Sequence, residues 1–180
     1  MVKKNRLAPE LYRTHELCEQ DRKEQIMADT PTIYLIDGTA QVYRAFYAVQ
    51  SLSTSRGFPT NAIFGFIRML TKLIQDESPE YLGVSFDLAG PTFRHEMFED
   101  YKAHRPETPQ ELIQQLPKIK EFLKVMNIPI YEMEGYEADD LLATLAKKAE
   151  QDGMKAVIVS SDKDLLQLVS ARVVTLSERM

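Results

Sequence analysis

The chain has 180 residues, a formal net charge of −5 and one cysteine, Cys18. That length suits one domain with a core of its own. No apolar run reaches the length of a membrane-spanning helix, a single thiol excludes an intrachain disulfide, and the acidic balance argues against a protein that coats nucleic acid nonspecifically.

Residues 1–30 read as a polar N-terminal extension, in part disordered, because apolar residues are sparse there (Leu7, Leu11, Leu17, Ile26). Lys3, Lys4 and Arg6 are not followed by the apolar block of a secretory signal. Met27 is a candidate translation start for a domain over 31–180. From Thr32 a β-branched run to Ile36 predicts a strand ending at Asp37-Gly38, and Thr39 to Val49 a helix. Ser51 to Thr60 is a loop. Asn61 is placed to cap a helix to about Gln75, with Ile63, Phe66, Ile67, Leu70, Leu73 and Ile74 at helical spacing and Phe64, Phe66 and Met69 assigned to the core. Tyr81 to Phe86 is a second strand, ending at Asp87. Gly90 to Thr108 is polar, basic and aromatic. Pro109 opens a helix to about Met126. Ile128 to Tyr131 is a short strand, Ala138 to Gln151 a helix stopped by Gly153, Ala156 to Val159 a strand, Asp164 to Val169 a short helix, and Arg172 to Leu176 a last strand. Strands alternating with helices imply an α/β fold, a mostly parallel central sheet flanked by helices.

Acids recur where those strands end: Asp37, then Asp87, then Glu137, Asp139 and Asp140, then Asp162 and Asp164. The carboxyl ends of parallel strands gather along one edge, where ligands bind. Acids so crowded repel one another unless a cation offsets them. Oxygen donors without a matching His or Cys set favour Mg²⁺ or Mn²⁺ over zinc. Any one of these residues is equally a helix cap, since Asp and Glu suit a helix N-terminus. Four successive strands ending this way exceed what capping alone explains.

The segments Leu35-Ile36-Asp37-Gly38, Ser55-Arg56-Gly57, Ser85-Phe86-Asp87, Phe93-Arg94-His95-Glu96, Tyr101-Lys102, Gly135-Tyr136-Glu137-Ala138-Asp139-Asp140 and Ser161-Asp162-Lys163-Asp164-Leu165 stand in one order over residues 32–176. Together they resemble the 5′-3′ exonuclease domain of bacterial DNA polymerase I, a flap-endonuclease relative with a PIN-like, resolvase-like fold and a helical arch. The resemblance implies two-metal hydrolysis of DNA phosphodiesters in replication and repair. Asp37, Asp87 and Asp139 would hold one Mg²⁺ or Mn²⁺; Glu137, Asp162 and Asp164 would contribute to a second, with Asp140 in or near the shell between them, some contacts running through water. It makes Arg94 and Lys102 catalytic cations facing the scissile phosphate.

The same resemblance places Arg94, Tyr101, Lys102 and Arg105 in an arch that takes a single-stranded 5′ end, where cations and aromatics suit phosphates and bases; a solvated loop is the plainer alternative. Tyr43 either stacks on a base beside the scissile bond or packs in the core. Arg44 faces phosphate or makes a structural ion pair. Gly57 and Thr60 offer N–H groups and a hydroxyl to a duplex phosphate at a helix N-terminus, or Gly57 serves only a turn. The implied partners are DNA with a 5′ flap or an RNA primer and a polymerase domain in the same native chain. The protein would be a monomer in the bacterial cytoplasm, at the nucleoid. The family domain continues with two further aspartates and a helix-three-turn-helix that grips duplex DNA; this sequence contains neither, and is expected to be part of a longer protein or a truncated form. A PIN-like ribonuclease and a non-catalytic DNA-binding remnant are the competing readings.

Overall fold

The computed structural model describes residues 30–98, 101 and 107–177. The expected N-terminal extension therefore lies almost wholly outside the described residues, as do Lys102 and Arg105 of the expected arch.

Strand β1 (Thr32–Asp37) runs straight into helix α1 (Gly38–Ala48), and a loop leads to α2 (Asn61–Glu77). Then follow β2 (Tyr81–Ser85), a five-residue helix α3 (Phe93–Met97), α4 (Gln110–Val125), β3 (Ile130–Tyr131), α5 (Ala138–Gln151), β4 (Lys155–Val159), a 3₁₀ turn (Asp164–Leu168) and β5 (Val173–Leu176). The five strands pair in parallel in the order β3-β2-β1-β4-β5, with Ile36 opposite Val84 and Val159.

Parallel strands buried on both faces need two apolar layers. One core joins Ile36, Val84, Phe86 and Val159 to α1, α2 and α4; the other joins Leu35, Ala156, Ile158 and Val173 to α5 and the 3₁₀ turn. The chain adds β2 and β3 on one side of β1, then crosses to add β4 and β5 on the other. The order thus reverses beside β1, and a crevice opens at the carboxyl ends of β1 and β4.

The α/β class stands as the strand-helix alternation predicts. Details differ, among them β3, which begins at Ile130 and not at Ile128. Helix α3 forms inside a stretch that carries no helical periodicity. Phe64, assigned to the core, is 48% exposed, whereas Phe66 and Met69 are buried; the apolar stripe turns Phe64 outward. Helix α2 runs two residues past the predicted Gln75, to Glu77. Asn61 is the first residue of α2, not its cap: its side-chain amide donates to the Phe46 carbonyl. The N-terminus of α2 is capped from α4, where the buried Gln115 accepts from Ala62 N–H at 2.8 Å and Ile63 N–H at 3.1 Å.

Candidate active site

The site begins where β1 becomes α1 without a linker. That junction requires Gly38, because a Cβ there would sit 2.7 Å from Phe86 and Val84 on β2. Asp37 caps α1, accepting from Ala40 N–H at 2.9 Å, and accepts from the Ser160 hydroxyl at 2.8 Å. Burial pushes its carboxyl above the usual range; those two donors oppose the shift, and the charges of Asp87 and Asp162 reinforce it. At the end of β2, Asp87 accepts from Ala138 N–H at 2.7 Å and so caps α5, while its own N–H donates to the Thr39 hydroxyl. After β4, Asp162 accepts from Asp164 N–H at 2.9 Å.

Asp37, Asp87, Glu137, Asp139 and Asp162 line one cavity of about 170 Å³, together with Thr39, Ala40, Tyr43 and Ala138. Asp139 takes the electrostatic consequence. Burial first, then repulsion from Asp37, Asp162, Asp87 and Glu137, pushes its carboxyl up to about 7. It is the one lining acid whose carboxylate has no hydrogen-bond donor among the described residues. A cavity of five oxygen-bearing acids is chemically fitted to a hard cation. Among the described residues no three His, Cys, Asp or Glu side chains already stand arranged to close on one ion.

Two of the predicted acids stand elsewhere. Asp140 is engaged by Arg94, whose guanidinium donates to both carboxylate oxygens at 2.6 and 2.7 Å, and by Glu137 N–H at 3.0 Å. Asp164 opens the 3₁₀ turn and is exposed. Neither lines the cavity. Glu137 begins α5 in a reciprocal capping box with Asp140 and accepts from the Tyr101 hydroxyl at 3.2 Å. Arg94 Nη1 lies 3.6 Å from Glu137 Oε2, so this cation borders the acidic cavity; its pKa rises further, chiefly through Asp140.

Tyr43 stands between two recesses. Its ring lines the acidic cavity, and its hydroxyl is hydrogen-bonded to Thr108 on the side of an apolar recess formed by Phe86, Leu88, Ile113 and Leu116. Arg44 Nη1 is buried with no hydrogen-bond partner among the described residues, and so are both amide atoms of Gln41, one turn earlier. Gly57 and Thr60 depart from the phosphate-binding geometry expected of them. Gly57 N–H donates to the Thr54 carbonyl at 2.9 Å within a tight loop at φ +82°, Thr60 N–H to the Leu52 carbonyl at 2.7 Å, and the first N–H groups of α2 are taken by Gln115. A roomier recess of about 600 Å³ lies on the outer face of α2, lined by Leu52, Ile63, Phe64 and Ile67. It gathers no acids.

Residues 32–180 match the model of a family described as the 5′-3′ exonuclease, N-terminal resolvase-like domain. A "5′-3′ exonuclease" of Aquifex aeolicus is 53% identical over 146 residues, covering 81% of this chain and 50% of the relative. The DNA polymerase I of Bacillus caldotenax is 47% identical over 141 residues, covering 78% of this chain and 16% of that protein. The chain therefore spans half the length of the first relative and far less of the second. Among solved structures, the T5 D15 protein co-crystallised with metal ions superposes with a TM-score of 0.63 at 20% identity, covering 80% of this chain and 54% of that one, which is a likeness of fold.

Proposed function

The chain belongs to the family of 5′-3′ exonuclease N-terminal, resolvase-like domains, and from that premise we propose that it is the catalytic core of a structure-selective 5′ nuclease hydrolysing DNA phosphodiesters with divalent cations. The observation that carries the reading is the meeting of five acids from four chain segments in one cavity at the switch point of the sheet. Asp37, Asp87 and Asp139 would hold one Mg²⁺ or Mn²⁺, and Glu137 and Asp162 would contribute to a second, in part through water. Such ions lower the pKa of water and offset charge on a phosphate under attack.

The protein's own groups prepare that chemistry. Ser160 and Ala40 N–H fix the Asp37 carboxylate, Ala138 N–H fixes Asp87, and Asp140 holds Arg94 so that its charge stands at the rim of the cavity. A fixed guanidinium stabilises developing phosphate charge without reorganising at the moment of reaction. Lys102 and Arg105 extend this cationic border in sequence, and Tyr43 offers a ring inside the cavity for a base beside the scissile bond. The substrate is DNA with a 5′ single-stranded flap or an RNA primer, processed beside a polymerase domain where the native chain carries one, as its DNA polymerase I relatives do. No helix among the described residues is long and apolar enough to cross a membrane.

The test is release of an end label from a 5′-flapped DNA hairpin with Mg²⁺ or Mn²⁺, abolished by Asp87→Asn, which keeps the helix cap and removes the charge. Manganese titration calorimetry on the same pair reads the site independently of turnover. Cleavage of a single-stranded RNA in preference to the flap would transfer the protein to the PIN-like ribonucleases. Salt-sensitive flap binding with no turnover, even in a longer chain carrying the family's remaining segment, would make it a DNA-binding remnant.

A further inference from the structure

We propose that Phe93 and Tyr136 form a stacking shelf for one unpaired base of the 5′ strand, outside the acidic cavity. The proposal rests on the nuclease reading and gives the displaced strand a place.

The shelf stands where the segment after Asp87 meets the turn before α5. Phe93 N–H donates to the Gly135 carbonyl at 3.0 Å, which pins the first residue of α3 to the turn that carries Tyr136. The two ring centroids lie 5.7 Å apart with the planes inclined by 52°. Rings so inclined cannot cover each other, and they keep 37% and 47% of their residues' surface exposed. The contrast is Phe66–Phe86, an aromatic pair that serves packing alone: both partners are 2% exposed or less. The Arg94 guanidinium carbon sits 4.6 Å from the Phe93 centroid, so a cation already held by Asp140 stands over one side of the shelf. Beside Tyr136 opens a recess of about 260 Å³, bordered also by Leu88, Gly90, Thr92 and Glu134. That volume far exceeds the roughly 30 Å³ share of one water.

Besides Phe93 and Tyr136, these two segments carry Leu88, Met97, Phe98 and Met133 as exposed apolar side chains. Two half-exposed aromatic rings in contact offer an apolar surface that a flat partner can cover. Its occupant is selected by what adjoins it. Phe93 precedes Arg94 and Tyr136 precedes Glu137, so both rings are one residue from groups at the edge of the acidic cavity. Aromatic faces interleaved with a fixed cation suit the bases and phosphates of a single strand, and every base has a face to stack. The shelf is accordingly sequence-tolerant and acts only on an unpaired nucleotide.

The experiment uses the full 180-residue chain and a hairpin with a 5′ single-stranded flap, with Ca²⁺ in place of Mg²⁺. One 2-aminopurine is placed at successive flap positions. Binding should quench one position, and Tyr136→Leu and Phe93→Leu should each restore that fluorescence and weaken flap binding about tenfold, within the range of a single base–aromatic stack. Tyr136→Phe should behave as wild type, which separates a lost ring from a lost fold. An abasic nucleotide at the quenched position should weaken wild type by the same factor and leave Tyr136→Leu no weaker than before. Flap binding with no quenched position overturns the shelf, as do additive effects of the abasic site and the variant. Unchanged DNA binding by both variants would reassign the patch to a protein partner. Any of these results with flap cleavage intact removes only the shelf. Failure of the wild-type chain both to bind and to cleave removes the nuclease reading with it.

Discussion

Asp139→Asn isolates the charge crowding on which the site depends. Asparagine keeps the size and shape of the side chain, and no hydrogen bond to the carboxylate is broken. In the metal-free protein the Asp139 carboxyl is pushed from 3.8 to about 7. A group whose folded pKa is raised disfavours folding once it must ionise. The cost is absent below the unfolded pKa, accumulates as pH rises from about 4 to about 7, and is constant above that window. Three units at 1.36 kcal/mol each set a ceiling of about 4 kcal/mol; because water reaches part of the carboxylate, screening brings the expected value nearer ~2 kcal/mol. In EDTA above pH 7, Asp139→Asn should therefore be the more stable protein, melting about 4–8 °C higher. The gap should shrink as pH falls toward about 4. Excess Mn²⁺ should reverse the order, because binding to the folded state alone stabilises wild type by about 2.7 kcal/mol at a hundredfold excess over Kd. Differential scanning calorimetry over that pH range, with and without Mn²⁺, reads all three. A variant no more stable than wild type in EDTA at high pH would show that the five acids do not press on one another, and the cation argument would lose its basis.

Arg94→Lys keeps a charge but loses the two-oxygen grip on Asp140; stability should fall by roughly 1 kcal/mol, read by urea denaturation, because the pair is partly exposed. Flap cleavage should fall much further than stability. Gln115→Leu leaves the buried first N–H groups of α2 without an acceptor and Asn61 without its donor, so a loss of about 3 kcal/mol and a melting point lower by roughly 6–12 °C are expected. Gly38→Ala drives a methyl into Phe86 and Val84; a cost of about 1–3 kcal/mol should come with weaker Mn²⁺ binding, since Asp37 moves with the helix start. Retained Mn²⁺ affinity in that variant would show that the junction does not position Asp37.

The alternation of β-branched strands with helical stripes made the sheet legible from the sequence, because each strand buried on both faces must read as an apolar run between turn residues. The order of the strands was not legible, since pairing partners leave no local mark. Helix α3 was invisible: five residues carry too little periodicity, and what forms it is the Thr92–His95 capping contact and the Gly135 carbonyl. Gln115 was missed because a glutamine on a helix face reads as solvent-facing; only the approach of α4 to the start of α2 makes it a cap. A glycine before a helix suggested an anion site, but the same N–H groups close the loop's own hydrogen bonds. For Asp140, three acids within four residues at a helix start cannot all face one way, and which of them turns to Arg94 is decided by the tertiary position of α3.

Capping and cation binding were posed as rivals for these acids, yet the geometry makes the first a means to the second. Asp37, Asp87 and Asp162 each accept from a backbone N–H, which fixes the direction of the carboxylate while leaving acceptor capacity toward the cavity. Capping accounts for those three residues whether or not a cation binds. It does not account for Asp139, which caps nothing, lies within the field of four other acids and has its carboxyl pushed to about 7. The dipole of α5 favours an acid in its first turn, but Asn or Ser at the same position would avoid the crowding. A cation among the five acids would relieve that crowding and bring the Asp139 carboxyl down again, so the proposed cation site draws on Asp139 more than on the count of acids around it.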